Sequence, residues 1–308
     1  MAGSTDELDL DGWAQRAWAC LEMLHVPGYF SAECRTQYKA LGLHPGLAYF
    51  PVRAAAMGPV PAEVVEATFY VFAPRRVRMI VPECWQQASP EQVLAARHEG
   101  VQQTLHAILD ETLAAAPEGA LDEAVALVRQ ACEGLTAPGR PLYAGHASLP
   151  WPDDPLLQLW HAATLLREHR GDGHVAALLT AGLSPLDAMW TYGLADTGGP
   201  TLHFLQQSRG WTEAEWQESA DRLMEQDLIG NADGAGEAAG GVQGSGLELT
   251  ASGRELRTEL EETTQLSALD GWAHLGLDGT RRLAELLNPL RRSVIASGVL
   301  APTRATAA

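Results

Sequence analysis

The stretch "PTLHFLQQSRGWTEAEWQESADRLMEQDLIG" at residues 200–230, with "GLELTASGRELRTELEE" at 246–262, decides the fold that we predict for this chain. Apolar residues recur at spacings of three and four on both sides of the turn "RGW", which predicts two helices joined by a tight turn. The second stretch begins with the short strand "GLELT" and continues into a further helix. The sequence therefore predicts a helix-turn-helix followed by a short β-hairpin wing and a closing helix.

This order of elements resembles the winged helix-turn-helix of MarR-type regulators, in which the second helix reads DNA. In that family a phrase "LT..GR.L" opens the helix after the wing, and the matching residues here are Leu249, Thr250, Gly253, Arg254 and Leu256. The whole chain also resembles an actinobacterial helix-turn-helix family through phrases similar to "ATFYVFAP", "WPDDPLLQLWHAATLLREHRGDGHVAAL" and "SRGWTEAEW". The activity of that family is mostly unassigned, so the resemblance implies the fold and leaves the function open.

The charge of the predicted reading helix argues against a nucleic-acid partner. Residues 212–262 contain thirteen acidic residues against three arginines, and the whole chain has a net charge of -18. Contacts from basic side chains to phosphates supply most of the affinity for DNA. We therefore expect a DNA-binding scaffold with another use, and nucleic acid is an unlikely partner.

Composition points to a globular protein of the reducing cytoplasm. The chain is 46% hydrophobic, and its four cysteines contain no CxxC pair that would indicate a zinc ribbon or a redox motif. The first residues are acidic, and no apolar run approaches the roughly 20 residues that a membrane span needs. We expect a cytoplasmic protein that has no membrane association.

A weak internal repeat predicts the domain organisation. The stretch at 49–74 resembles the stretch at 174–196, with Gly58 opposite Gly182 and Pro61 opposite Pro185. We predict a mainly α protein built from tandem, duplicated winged-helix-like domains with a short β-hairpin wing.

The predicted domains are a degenerate winged-helix-like repeat at 1–150, a central helix with the second repeat at 151–270, and a C-terminal helix and tail at 271–308. That last helix carries paired arginines and is a possible homodimer contact. The loop at 231–246 is rich in Gly and Ala and is expected to be mobile.

The segment "LLREHRGDGHVAAL" at 165–178 carries many charges between apolar runs. We expect the central helix to start at a cap from Asp153 or Asp154 and to end at Gly171, where "GDG" turns the chain sharply. Asp172 would then cap a new helix whose free N-terminus could bind an anion. This segment would lie at the junction of the two repeats, which is a natural place for a cleft.

The candidate site residues follow from this placement. An imidazole oriented by a carboxylate can act as a general base, and the candidates for that role are His169, His174 and Asp172. Cationic and aromatic side chains around the same junction would hold a small anionic or polyketide-like molecule. The candidate ligand-binding residues are Arg167, Arg170, His161, Trp160, Tyr49, Arg53, Tyr70 and Tyr192. Each of these residues has a structural alternative, such as a helix-end ion pair or core packing.

Three functions stay open at this point. The first is a small-molecule-binding protein that holds its ligand between the repeats, with a link to secondary metabolism as one option. The second is a cofactor-independent acid–base enzyme that uses His169 or His174, and the third is a MarR-like, ligand-responsive transcription regulator. The histidine spacings match no common metal site, and motifs for phosphates, dinucleotides or serine hydrolases are absent, so neither a metal nor a cofactor is expected.

Overall fold

The computed structural model describes residues 8–195, 200–232 and 246–300, and these residues form two compact units that alternate along the chain. Unit 1 comprises the described residues up to Pro61, then Ile80–Gly173, and the described residues from Gln265 onward. Unit 2 comprises Ala62–Met79 and the described residues of His174–Thr264. The division into 1–150, 151–270 and 271–308 stays a prediction.

Unit 1 is helical. Its helices are α1 (Leu10–His25), α2 (Pro27–Phe30), α3 (Ala32–Ala40), α4 (Tyr49–Ala54), α7 (Cys84–Gln87), α8 (Pro90–Ala114), α9 (Ala120–Glu133), α10 (Pro141–Ala147) and α16 (Asp270–Ala296), with a short 3₁₀ turn at Ala55–Met57. Helix α11 (Pro155–Thr180) contributes its residues up to Gly173 to this unit. Apart from α11, its largest elements are α8 and α16, and α16 is kinked at Gly276, where φ is 80°.

The core of unit 1 forms where α16 packs against α1, α8 and α9, and where α3 packs against α8. Gly100 of α8 allows the last of these contacts, because a Cβ atom there would lie 2.7 Å from the Cα atom of Cys34 in α3. Arg282 of α16 pairs with Glu123 of α9 within the same chain. A homodimer through α16 therefore stays a prediction.

Helix α11 is longer than predicted and does not turn at "GDG". The Asp154 carboxylate accepts hydrogen bonds from the backbone amides of Leu156 and Leu157, so the predicted cap is confirmed. However, the helix continues to Thr180, so the predicted end at Gly171 and the predicted anion-binding helix N-terminus beside it are wrong. The reason lies in packing, because a Cβ atom on Gly173 would lie 2.4 Å from Ser267 Oγ and 2.6 Å from Arg140 Nη1. This glycine serves close approach inside a helix, and it does not break one.

Unit 2 contains the predicted helix-turn-helix and hairpin. Its elements are α5 (Ala62–Thr68), α6 (Pro74–Val77), α12 (Pro185–Gly193), α13 (Leu202–Ser208), α14 (Glu213–Glu225), β1 (Ile229–Asn231), β2 (Leu247–Leu249) and α15 (Ala251–Ser267), the last of which ends in unit 1. The turn between α13 and α14 uses Gly210 at a φ of 81°, where a side chain would be strained. Thr212 caps α14 in a reciprocal capping box with Glu215. Strand β1 pairs antiparallel with β2, with Ile229 opposite Leu249.

The phrase "LT..GR.L" at 249–256 has structural roles at Thr250, Gly253 and Arg254. The Thr250 hydroxyl accepts from the backbone amide of Gly253 at 3.0 Å and so caps α15. A Cβ atom on Gly253 would lie 1.9 Å from the carbonyl oxygen of Leu228, so glycine is required for this approach. Arg254 donates to the carbonyl oxygen of Leu249 at the end of β2. The core beneath is centred on Trp190 and Trp216, whose rings lie 5.4 Å apart at right angles.

The duplication of this unit stays a prediction. The two glycines that the repeat aligns, Gly58 and Gly182, both have positive φ values, at 82° and 70°, and each precedes a short helix. Within the described ranges, strand pairing occurs at β1 and β2 and nowhere else, so the first copy shows no wing there. Most of the predicted mobile loop, residues 233–245, lies outside the described residues. None of the described helices has the length and apolar character needed to cross a bilayer.

Candidate functional site

A buried ion-pair network surrounds Glu168, in the middle of α11. Its side chain is fully buried and accepts from Arg53 Nε at 3.0 Å and from Arg53 Nη2 at 2.5 Å. Arg167 donates to the same carboxylate at 3.0 Å and to Glu22 of α1 at 3.0 Å. Burial opposes the ionisation of Glu168, yet the two guanidinium groups outweigh it and hold the pKa of this carboxyl well below its usual value. Both arginines of the network therefore have carboxylate partners.

A chain of hydrogen bonds runs from Tyr29 into α11. The Thr164 hydroxyl donates to the carbonyl oxygen of Trp160 at 3.1 Å, so its oxygen is left to accept from His25 Nδ1 at 3.0 Å. His25 Nε2 is then the unprotonated nitrogen and accepts from the Tyr29 hydroxyl at 2.9 Å. This assignment uses the phenol proton of Tyr29 within the chain of hydrogen bonds and leaves the phenol oxygen as an acceptor.

Arg97 of α8 lies beside this chain of hydrogen bonds and differs from Arg53 and Arg167. The residue is 1% exposed, its Nη2 lies 3.5 Å from the Tyr29 hydroxyl, and its Nε has no hydrogen-bond partner among the described residues. Its guanidinium carbon lies 4.7 Å from the Trp160 ring centroid and 5.6 Å from that of Tyr29, within the range of cation–π attraction. No described carboxylate is within ion-pair distance of it. Since a buried charge is costly unless it is paired, Arg97 is the anomaly of unit 1.

Two buried histidines lie within electrostatic reach of Arg97 and have free nitrogens. Nε2 of His146 and Nε2 of His161 both lack a partner among the described residues. Burial, followed by the charge of Arg97, lowers the pKa of His146 well below its ordinary value. Burial also lowers the pKa of His161 to about 4. We call Arg97, Tyr29, His25, Trp160, His146 and His161 the Arg97 cluster, and at neutral pH its histidines are uncharged.

The structure brings five of the predicted ligand-binding residues into unit 1, in or beside this cluster. Trp160 and His161 belong to the cluster, and Arg53 and Arg167 hold Glu168. Tyr49 accepts from Arg53 at 3.0 Å, and its ring lies 5.1 Å from that of Tyr29.

The other three predicted ligand-binding residues lie elsewhere. Arg170 stacks its guanidinium 4.8 Å from the ring of Trp18 in unit 1. In unit 2, the Tyr70 hydroxyl donates to the carbonyl oxygen of Leu183, and Tyr192 lies 5.6 Å from the guanidinium carbon of Arg257. Their roles in ligand binding stay predictions.

The three predicted acid–base residues have separate environments. His169 packs edge-on against Tyr143, and burial, followed by the charge of Arg140, lowers its pKa to about 4. The Asp172 carboxylate accepts from the backbone amide of Tyr143 at 2.9 Å, and burial raises its pKa to about 6. Asp172 is therefore a cap, but it caps α10, not a helix that starts at residue 173. His174 lies in unit 2, where its Nδ1 is 2.9 Å from Thr264 Oγ1.

Sequence reasoning missed Arg97, Tyr29, His25 and His146. One signal could have identified Arg97, since it lies on the apolar stripe of α8, four residues after Val93 and four before Val101. A charged residue on a buried stripe is rare unless it is paired. Tyr29, His25 and His146 carry no comparable signal, and Tyr29 and His25 come from segments far from α11 in the chain.

A separate hollow of about 610 Å³ lies on unit 1 and is lined in part by Arg129, Glu133 and Gln158. It shares no residue with the Arg97 cluster, and it is lined by both acidic and basic side chains. Its arginine already donates to Gln158 and stacks 4.1 Å from Trp151. The Arg97 cluster is therefore the better candidate for a ligand-binding site.

The surface of α14 is acidic where a reading helix of this fold would meet DNA. Its exposed side chains include Glu213, Glu218, Asp221 and Glu225. The one arginine of this helix, Arg222, donates to Asp187 at 3.1 Å.

No group of three or more His, Cys, Asp or Glu side chains that could hold a metal ion occurs in the described part of the chain.

Comparison with known proteins identifies a family. No curated protein and no solved structure matches the chain. A family model described as "Helix-turn-helix family" matches residues 14–301, nearly the whole sequence. With the α13–turn–α14 arrangement of unit 2 and a match of this length, the chain belongs to that helix-turn-helix family.

Proposed function

We propose that this protein binds a small organic molecule at the Arg97 cluster, inside unit 1. The sequence placed the ligand between two repeats, and this proposal moves it to the buried side chains around the first half of α11. Trp160 and His161 keep their predicted place in the site, and Arg53, Arg167 and Tyr49 form its wall.

The observation that carries the proposal is the buried state of Arg97. A guanidinium that is 1% exposed and has no carboxylate partner among the described residues destabilises the fold unless something compensates its charge. Arg53 and Arg167, in the same unit, each have a carboxylate. A bound molecule that supplies an acceptor would compensate Arg97 in the same way.

Binding without catalysis fits the titratable groups better than acid–base chemistry does. A general acid or base works best with a pKa near the operating pH. Burial lowers the pKa of His25 and that of His146 well below the usual value and raises the pKa of Tyr29 to about 12. These groups keep one protonation state around neutral pH, which suits a rigid binding site. The acid–base enzyme with His169 or His174 is thus the second candidate.

The helix-turn-helix family suggests nucleic acid, but the exposed carboxylates of α14 speak against it. A duplex has a dense negative charge, and binding it requires basic side chains at the surface of the reading helix. In α14 the exposed charges are acidic, and Arg222 is engaged with Asp187. A ligand-responsive DNA-binding regulator is therefore the least favoured candidate.

Native mass spectrometry of the purified full chain tests the proposal. We expect a mass above that of the polypeptide alone, which disappears on denaturation because a small molecule is released. The variant Arg97→Gln should lose this added mass. Arg282→Gln is the matched control, because Arg282 is an exposed arginine of unit 1 paired with Glu123, and it should keep the added mass.

The proposal is wrong if the two variants retain the same added mass while both are folded by circular dichroism. It is also wrong if the wild-type protein carries no small molecule and gains thermal stability with no member of a metabolite library. A stable bound molecule should raise the melting temperature of wild-type protein by mass action.

A further inference from the structure

We propose that the ligand of the Arg97 cluster presents one carboxylate, with a single negative charge, to the free edge of Arg97 and to the indole N–H of Trp160. This inference rests on the function proposed above and adds the chemical class of the ligand. Two buried donors that have no acceptor in the described residues carry it.

The first donor is Arg97 Nε–H. The rings of Trp160 and Tyr29 lie 4.7 and 5.6 Å from the guanidinium carbon. Aromatic rings that attract a cation act on the face of the planar guanidinium and accept none of its in-plane N–H groups. Nη2 approaches the Tyr29 oxygen at 3.5 Å, and Nε has no acceptor. The edge that contains Nε is therefore the part of Arg97 that a ligand would use, and a carboxylate fits such an edge with two parallel hydrogen bonds.

The second donor is the indole N–H of Trp160. This residue is 1% exposed, and its Nε1 has no hydrogen-bond partner among the described residues. An indole nitrogen can only donate, so an acceptor is the only group that satisfies it. Buried polar groups in proteins nearly always have partners, and two unsatisfied donors on side chains that stack on each other point to a shared acceptor.

The acceptors of the hydrogen-bond chain and of the Glu168 network have other partners. The hydrogen-bond chain uses the Thr164 oxygen for His25 and the His25 lone pair for the Tyr29 hydroxyl. Arg53 and Arg167 occupy the Glu168 carboxylate. These three acceptors are thus engaged, while Arg97 Nε–H and the indole N–H of Trp160 have no acceptor among the described residues.

The charge of Arg97 selects the class of acceptor. A neutral amide or ketone would satisfy a hydrogen bond but would leave the guanidinium charge buried and uncompensated. A phosphate with two charges would leave a negative charge uncompensated in the same place. One carboxylate matches the single cation.

Isothermal titration calorimetry on the ligand-stripped full chain tests this class. The probes are acetate and benzoate, their neutral counterparts acetamide and benzamide, and inorganic phosphate, all at one ionic strength. We expect the two carboxylates to bind and the amides and phosphate to bind at least about tenfold more weakly, since a charge-assisted hydrogen bond contributes that much. The small molecule released from wild-type protein should be retained by an anion-exchange resin as a singly charged acid.

Variants separate the two donors. Arg97→Lys keeps the charge but removes Nε–H, and Trp160→Phe keeps the ring but removes the indole N–H. Each should weaken benzoate by roughly tenfold, because each loses one hydrogen bond to a charged acceptor. Arg282→Gln should bind benzoate like the wild type. Circular dichroism checks that every variant is folded.

The outcomes distinguish this inference from the function on which it rests. If the released molecule is neutral or a phosphate, or if benzamide binds as tightly as benzoate, the carboxylate is wrong and binding at the cluster stands. If Trp160→Phe binds benzoate like the wild type, the indole contact is wrong. If no probe binds and no molecule is released, both the class and the proposed function are wrong.

Discussion

The carboxylate of Asp172, in the middle of α11, accepts a hydrogen bond from the backbone amide of Tyr143 at 2.9 Å and so caps α10 from a distance of 29 residues along the chain. Asp172 is 7% exposed, and burial is the main reason that its pKa rises from 3.8 to about 6. A side chain in a motif typical of turns therefore joins two helices of unit 1.

The burial of this carboxyl makes the stability of the fold depend on pH. The pKa of Asp172 is higher in the folded state than in the unfolded state, so the folded state holds the carboxyl proton more tightly. The resulting contribution to the free energy of unfolding is fully present below the unfolded-state pKa and is lost as the pH rises through about 6. Asp172→Asn stays neutral and keeps one acceptor for Tyr143. From about pH 4 to about pH 7, the variant should gain up to about 3 kcal/mol in the free energy of unfolding relative to wild type. Urea denaturation at both pH values measures the change, and a constant difference would contradict it.

The Glu168 network should be sensitive to loss of its carboxylate. Glu168→Gln leaves Arg53 and Arg167 side by side with less negative charge, and breaking a buried pair in this way costs about 3–5 kcal/mol. Chemical denaturation of unit 1, followed by circular dichroism, gives the value. Glu123→Gln, which breaks the exposed pair with Arg282, is the control and should cost far less, because solvent screens an exposed pair. Equal losses for the two variants would show that the Glu168 pair is not a strong one.

Gly253 should tolerate no side chain. A Cβ atom would lie 1.9 Å from the Leu228 carbonyl oxygen, so Gly253→Ala must displace α15 or the backbone before β1. We expect a loss of about 2 kcal/mol or more in unit 2, which is typical of overpacking a close contact. Thermal unfolding measured by tryptophan fluorescence tests this, with Ser252→Ala, an exposed neighbour, as the control. A variant as stable as the control would refute the close approach.

His106 should titrate above the ordinary range for histidine. Its two ring nitrogens lie 2.9 Å from Asp154 and 2.8 Å from Asp110, and these hydrogen bonds raise its pKa. The stabilising contribution is present below the unfolded pKa and is lost as the pH rises through the folded pKa. It is small, because more than a third of the side chain is exposed. An NMR titration measures the pKa directly, and Asp110→Asn should lower it. An unchanged value in that variant would argue against the contact.

Duplex DNA should bind weakly or not at all at physiological salt. Fluorescence anisotropy with a labelled duplex should show no tight, salt-dependent binding, because the exposed charges of α14 repel phosphates. Replacing Glu213, Glu218 and Glu225 with lysine should create salt-sensitive binding by the same scaffold. Tight, sequence-selective binding by the wild-type chain would restore the regulator as the leading function.

Local patterns predicted unit 2 well, for physical reasons. Thr212 and Thr250 cap the helices that follow them, and Gly210 permits the turn between α13 and α14. Each of these signals acts over a few residues and can be recognised in the sequence. The order of helix, turn, helix, hairpin and helix was therefore predictable without long-range information.

Long-range contacts determined what the sequence did not predict. Gly173 looks like a helix breaker until Ser267 and Arg140 are placed against it. The same holds for the candidate site, where Tyr29, Arg97 and Trp160 meet from three distant segments. The periodicity around Trp160 identified one wall of the site, but nothing in it identifies the partners that α2 and α8 contribute.

Arg97 also implies a trade-off between stability and function. Arg97 is a buried charge with no carboxylate partner among the described residues, and a methionine of similar length would pack there without that electrostatic cost. A chain selected only to fold would therefore have no use for arginine at this position, and replacing it should give a more robust protein that binds less. Stabilising this protein by directed evolution would thus endanger its site first at residue 97.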